Sequence, residues 1–249
     1  MKPVFEAQGR LIRLPAGRRV VYVGDTHGDS DATERVLTRF PRASYSIVFL
    51  GDAVDRGPDS RGNLGRIVRA KREAPDAVFL LMGNHEGWAA APFTPADFWL
   101  SLSEEEAREV ATRLLVLPFA AWHPSGVLAL HGTLPDVAAL DAIETVEPGS
   151  ETWRQMTWGD YRERTEAVRS PPPGRRPVFG RNEFERIRDR LGVRLLVRSH
   201  QPDAPLLLFG DRCMTLFTSS AYGSRMRRVA ILESSAEIET GNDLIVIEL

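Results

Sequence analysis

Between Arg18 and Glu86 a short apolar run three times stops at a glycine and gives way to a polar cluster. Arg18–Val23 ends at Gly24, before Asp25-Thr26-His27-Gly28-Asp29. Ile47–Leu50 ends at Gly51, before Asp52-Ala53-Val54-Asp55-Arg56-Gly57. Ala77–Met82 ends at Gly83, before Asn84-His85-Glu86. Runs of this length bounded by glycine read as buried strands. The first two are followed by apolar residues at helical spacing: Val36, Leu37 and Phe40, then Leu64, Ile67 and Val68. Asp31 and Glu34 read as a capping pair for the first of these helices. Repeated strand–glycine–polar–helix units predict an α/β fold with parallel strands. Their carboxyl ends, where such sheets place their sites, then lie side by side.

The second unit has the sharpest chemistry. Asp52, Asp55 and Arg56 offer two carboxylates and a guanidinium within one turn. Hard cations take carboxylate oxygens and phosphates take arginine forks, which suggests a metal that holds a phosphate. Taken alone, a turn of this kind is more often a hydrogen-bonded loop than a metal site.

The rest of the chain extends the pattern. Ser103 and Glu106 form a capping-box signature ahead of Ala107, Val110, Ala111, Leu114 and Leu115. Phe119–Trp122 and Val127–Leu130 read as strands around a Pro124-Ser125-Gly126 turn, the second running into His131-Gly132. Residues 135–178 hold Trp153, Trp158 and the Pro171–Pro173 break, and read as a long excursion over the site. Asn182 and Glu185 suggest the start of a helix carrying Phe184, Ile187 and Leu191 and closed by Gly192. Arg194–Ser199 reads as a strand ending at His200. The runs Leu206–Phe209, Met214–Thr218, Val229–Leu232 and Leu244–Ile247 predict antiparallel strands that complete a second sheet.

Histidine decides between the loop and the site. Of the five histidines, His27, His85, His131 and His200 stand just past predicted strands. Imidazole is the commonest metal ligand and the usual general acid near neutral pH. Four at equivalent strand ends, level with Asp25, Asp52, Asp55 and Asn84, make core packing a poor explanation. Burying those carboxylates without a cation is costly. Two cations roughly 3.5–4 Å apart satisfy them and can clamp a phosphate. His123, before Pro124, is given no role.

In order, GDTHG (Gly24–Gly28), GDAVDRG (Gly51–Gly57), GNHE (Gly83–Glu86), HG (His131-Gly132) and RSHQ (Arg198–Gln201) resemble the signature series of the phosphoprotein phosphatases, within the calcineurin-like metallophosphoesterases. The resemblance runs from about Val20 to Tyr222. It implies a sandwich of two mixed β-sheets flanked by helices, with the site at the strand ends. It implies a dinuclear centre in which Asp25 and His27 hold one metal, Asp52 bridges, and Asn84, His131 and His200 complete the other. It makes His85, oriented by Asp55, the general acid. Arg56, Asn84, Arg176 (with Arg175 as the alternative) and Tyr222 become the phosphate contacts, and Arg198 orients the His200 loop. Thr133 departs from the pattern by standing where a second glycine is expected, which predicts a stiffer loop. The spacing between Pro171 and Phe179 also departs from it.

The implied function is a metal-dependent phosphomonoester hydrolase acting on phosphoserine or phosphothreonine in proteins. It would use two divalent ions, with Mn expected and Fe or Zn permitted by a donor set without thiolate. A nucleotide or dinucleoside polyphosphate hydrolase is the first alternative, and Asp55 and Glu86 weigh against it. A metallonuclease would carry a His-x-His pair where His200-Gln201-Pro202 has one histidine. A binding module with a dead site would lack a ligand, and none is missing.

At 249 residues with 43% hydrophobic content, a single catalytic domain over residues 1–249 is expected. A net charge of -2 leaves no basic field for nucleic acid. Lys2 and Lys71 are the only lysines, arginine supplying the other basic groups, which reads as compositional bias. Cys213 stands alone, MKPVFEAQGR lacks a signal-peptide core, and the apolar runs are strand-length. A cytoplasmic monomer without a membrane span is expected.

Overall fold

The computed structural model describes residues 9–163, 175–223, 227–234 and 236–249. The Pro171–Pro173 break lies outside them. The strands in chain order begin with β1 (Leu11–Arg13), β2 (Arg19–Val23), β3 (Tyr45–Phe49), β4 (Val78–Leu80), β5 (Ala120–His123) and β6 (Val127–Leu130). They continue with β7 (Asp160–Tyr161), β8 (Val178–Phe179), β9 (Leu195–Arg198), β10 (Leu207–Leu208), β11 (Cys213–Thr215), β12 (Arg228–Leu232) and β13 (Ile245–Glu248). The α-helices are α1 (Ser30–Arg39), α2 (Ser60–Glu73), α3 (Asp97–Leu100), α4 (Glu104–Leu114), α5 (Glu151–Trp158) and α6 (Arg181–Leu191).

The expected parallel units are present: β2 pairs with β3 and β3 with β4, both parallel. Their sheet runs β13-β12-β2-β3-β4, and a second runs β1-β5-β6-β9-β11-β10. Alternation along the strands explains why the two stack. Val20, Tyr22 and Val48 point the same way and share a core with Ala129, Val197 and Met214 of the second sheet. Val21, Val23, Ile47 and Phe49 turn to the other face, where Val36 of α1 and Ile67 of α2 pack. The result is a mixed sandwich with helices outside, as the motif series implied. No helix of the described residues is long and apolar enough to cross a membrane.

Three expectations need correction. The late strands do not form one antiparallel run. β11 lies parallel to β9 in the second sheet, whereas β12 and β13 are antiparallel additions to the first. The chain changes sheets because Phe217 bridges to Asp25, just past β2, so the returning strand meets the open edge of β2. Next, α1 is capped not by Asp31 and Glu34, which lie inside the helix, but by Asp29, whose carboxylate accepts from the Ala32 N–H. Finally, α6 begins after Gly180 without a side-chain cap, Asn182 and Glu185 falling within its first turns. The Ser103–Glu106 capping box and the left-handed Gly192 stop are found as expected.

Candidate metal centre and active site

The glycines that end the strands let three backbones converge. A Cβ on Gly51 would lie 2.4 Å from the Gly83 nitrogen, and one on Gly83 would lie 2.2 Å from Asp52 Oδ1. Beyond the glycines the backbone is forced into the left-handed region at His27, Asp52, Asp55, Arg56 and His200. Apart from Phe209 and Asp211, these are all the non-glycine residues with positive φ among the described residues. Such conformations are costly and gather where function over-determines them.

Asp25, His27, Asp52, Asn84, His131 and His200 come together in one buried cluster. His27 Nε2 lies 3.5 Å from Asp25 Oδ2 and 3.7 Å from Asp52 Oδ2. His131 Nε2 lies 3.3 Å from Asp52 Oδ2, 3.1 Å from Asn84 Oδ1 and 3.1 Å from His200 Nδ1. His27, Asp52 and His85 converge closely enough to hold one cation, and Asp52, His131 and His200 a second, so Asp52 is common to both.

The ring orientations fit metal ligation. His27 Nδ1 faces the Val54 carbonyl at 2.9 Å, and His131 Nδ1 faces the Leu50 carbonyl at 2.9 Å. Donation there fixes the tautomer and leaves each Nε2 with a lone pair aimed into the cluster. His200 presents Nδ1 to the cluster, and Asp25 Oδ2 is buried without a hydrogen-bond partner. Buried polar atoms are rarely left so. Carboxylate, imidazole and amide donors without thiolate suit a divalent ion such as Mn, Fe or Zn.

The electrostatics carry the same demand. Burial pushes the Asp25 carboxyl above its ordinary range. Burial opposes charge on Asp52 too, but His131, His85 and His27 outweigh it and hold that carboxyl well below. Burial disfavours the His131 imidazolium, yet Asp52 and Asp25 lift the ring to about 9. Without a cation the positive charge beside these carboxylates falls to His131 and His85, because burial pushes His27 and His200 down; a bound metal would replace it and leave the ligand rings neutral.

His85 is held differently. Its Nδ1 meets Asp55 Oδ2 at 2.5 Å, and the other Asp55 oxygen accepts from the Phe98 N–H at 2.6 Å. The His85 N–H donates to Asp52 Oδ1, and Trp99 Nε1 donates to the His85 carbonyl. Nε2 is left 3.8 Å from Asp52 Oδ2, facing the cluster. Burial lowers the ring's proton affinity, but Asp52 and Asp55 outweigh it, so its pKa is raised.

The phosphate contacts named from the motifs surround this mouth. Arg56 is exposed beside Asp55. Arg176 reaches Asp160 at 3.5 Å. Tyr222 stands edge-on to His27, with ring centres 5.6 Å apart. Its phenol is pushed up mainly by burial, while Arg56 and Arg176 oppose and Asp25 and Asp52 add, which places all four within electrostatic reach of it.

Sequence reasoning missed Asp160, and placed Glu86 in a motif without giving it a role. Glu86 accepts from the Asp52, Ala53 and Gly83 N–H groups and so ties the second strand end to the third. Asp160, in the excursion, lies 3.6 Å from His200 Nε2 as well as against Arg176. The signal for Asp160 was slight, a lone acid after Trp158-Gly159. Arg198 sits fully buried as the brace expected for the His200 loop, donating to Gln201 Oε1 and to the Gly159 carbonyl. Thr133, where glycine was expected, is fastened to α5 by its N–H and hydroxyl, both donating to the Gln155 carbonyl.

Residues 18–204 match the family described as Calcineurin-like phosphoesterase. The chain belongs to this family. Among relatives, serine/threonine-protein phosphatase 6 catalytic subunit of Drosophila melanogaster is 27% identical over 235 residues, covering 89% of this chain and 77% of the relative. Serine/threonine-protein phosphatase T of Trypanosoma brucei brucei is 27% identical over 236 residues, covering 86% of this chain but 48% of the relative, so this phosphoesterase spans about half of that protein. In structure, a serine/threonine phosphatase of Saccharomyces cerevisiae with similarity to human phosphatase PP5 superposes with a TM-score of 0.76 at 21% identity, covering 97% of this chain and 84% of that one. A putative diadenosine tetraphosphatase superposes with a TM-score of 0.60 at 22% identity, covering 96% of this chain and 98% of that one. At these identities the structural likeness is one of fold.

Proposed function

We propose that this phosphoesterase hydrolyses phosphoserine and phosphothreonine in proteins with two divalent cations, manganese being the expected metal. The observation that carries the reading is the shared position of Asp52 between two ligand groups, one of which includes His85, whose Nδ1 is taken by Asp55. Similarity to serine/threonine phosphatases supports protein as the substrate. A lone buried thiol, Cys213, supports a cytoplasmic setting.

Asp25, His27 and Asp52 would hold one ion, and Asp52, Asn84, His131 and His200 the other. Bound there, the pair supplies positive charge to polarise a phosphate and to acidify an attacking water. The chain's own groups do the rest. Arg56 and Arg176 present guanidinium forks to the phosphate oxygens, and Asn84 and Tyr222 add neutral donors. His85 carries the proton on Nε2 to the leaving oxygen, while Asp55 holds Nδ1–H and keeps the ring aimed. Neutralising the spreading negative charge is the larger part of the work in phosphoryl transfer.

The test is a hydrolysis panel with phosphoserine, phosphothreonine and phosphotyrosine peptides, nucleotides, diadenosine polyphosphates and an aryl phosphate, with Mn, Zn or Mg added to chelated protein. Preference for phosphoserine or phosphothreonine peptides in Mn supports the reading. Preference for the dinucleoside polyphosphates transfers it to a nucleotide hydrolase.

A further inference from the structure

The acid that caps α1 has more partners than a cap requires. Asp29 is buried and lies two residues after His27. Its Oδ1 accepts from Ala32 N–H at 3.0 Å and from Arg227 Nη2 at 2.8 Å. Its Oδ2 accepts from Ser220 N–H at 2.8 Å, Ser220 Oγ at 2.8 Å and Arg227 Nε at 2.9 Å. Arg227 therefore grips Asp29 through a two-point fork, the strongest geometry open to this pair. Its remaining nitrogen, Nη1, donates to Asp31 Oδ2 at 2.9 Å. Burial works against charge on Asp29, but the bonds from Ser220, Arg227 and Ala32 outweigh it and keep the carboxyl below its ordinary range.

Ser220 and Arg227 are the two arms of the loop that carries Tyr222. Thr218 bridges to Arg227 at its base, and Arg228 N–H donates to the Phe217 carbonyl. Gly223 N–H closes a turn on the Ser220 carbonyl, so Tyr222 stands in a turn that begins at the clamped serine. Tyr222 is 43% exposed, and among the described residues its ring meets the rings of His27 and Phe217 edge-on. The clamp fixes the loop to the same turn that presents His27.

We propose that Asp29 and Arg227 are positioning residues that hold Tyr222 over the phosphate site. The proposal rests on Tyr222 being a phosphate contact. Without the clamp, the donor must be ordered at each encounter, and anion affinity falls while the metal ligands stay in place.

The probe is inorganic phosphate, used as a competitive inhibitor of aryl phosphate hydrolysis by the Mn-loaded protein. Tyr222→Ala is expected to weaken inhibition about tenfold, on the scale of one hydrogen bond to an anion. Arg227→Ala is expected to do the same, with Arg227→Lys recovering part, since lysine cannot form the fork. In the Tyr222→Ala background, Arg227→Ala should add no further loss, because both act on one contact. Thermal melting and metal content verify the fold and the centre in each variant. If Arg227→Ala does not fold, Ser220→Ala at the exposed arm takes its place and should weaken inhibition a few-fold, less than loss of the fork because the Ser220 N–H still donates to Asp29. Additive losses in the double variant overturn the proposal. So does unchanged inhibition in Arg227→Ala, or in Ser220→Ala where that variant stands in, while Tyr222→Ala is impaired; the phosphate reading then survives. Unchanged inhibition in Tyr222→Ala overturns both.

Discussion

Which nitrogen of His85 faces the cluster is settled by a single carboxylate. Asp55 takes Nδ1 and is itself pinned by the Phe98 N–H, so the ring can present only Nε2. His27 and His131 have main-chain carbonyls at Nδ1 instead; metal-binding imidazoles take either partner, so metal content is what separates an acid from a ligand at His85. The difference can be measured. His85→Asn is expected to cut turnover of alkyl phosphate esters by about 10²–10⁴-fold, the usual worth of a general acid. Aryl phosphates, whose leaving group needs little protonation, should lose much less. Metal analysis should find the content of His85→Asn unchanged, and an ion lost would make His85 a ligand instead. At this scale Asp25, Asp52 and Asn84 were legible because each follows a strand-ending glycine, and His131 and His200 because each stands just past an apolar run. Asp160 was not, because it reaches His200 from a distant excursion with no strand end to mark it. Asp29 was hidden by a stronger local signal: Asp31 and Glu34 have capping-box spacing, but the Arg227 fork aims Asp29 at the helix end instead.

The elements show why glycine recurs at the strand ends. Gly83 lies against Asp52, so Gly83→Ala should destabilise by about 1–3 kcal/mol, as overpacking does, and displace the shared ligand. Gly65, in α2, has open space around a built Cβ, so Gly65→Ala should instead stabilise by roughly 0.5–1 kcal/mol. Denaturant unfolding of both variants, with metal content, checks the pair; equal and small effects would remove the close-approach argument. The hinge between α2 and β4 provides a separate test. Lys71 is buried there, donating to the Pro75 carbonyl and lying over the Phe79 ring. Burial lowers its pKa from 10.5 to about 8. Between those values the unfolded chain binds more protons, so stability rises with pH across the window and falls back as pH drops toward 8. Lys71→Met should flatten this rise, read as the difference in urea midpoint between pH 7.5 and 10. An unchanged slope would mean that Lys71 titrates normally. Most strands were readable from the sequence, β1, β7 and β8 excepted, but sheet membership was not. β12 and β13 have the same apolar pattern as the second-sheet strands, and only the crossing at Phe217 and Asp25 sends them to the first.

Across the whole molecule, the sandwich brings strand ends from both sheets to one pole. β2, β3 and β4 lead into Asp25, Asp52 and Asn84, while β6 and β9 lead into His131 and His200. Glu86 ties the loops of the first sheet together, and Ser199 joins the sheets by accepting from the Asp25 N–H. A centre assembled this way from separate parts of the chain gathers carboxylates and imidazoles that a divalent cation would satisfy. The most direct measurement is hydrolysis of a phosphoserine peptide by fully chelated protein, titrated with Mn. The expected result is no turnover without metal and a rise that saturates at two equivalents per chain, with Asp52→Asn failing to recover at any metal concentration. Full turnover by the metal-free protein, or by Asp52→Asn, would contradict the dinuclear centre.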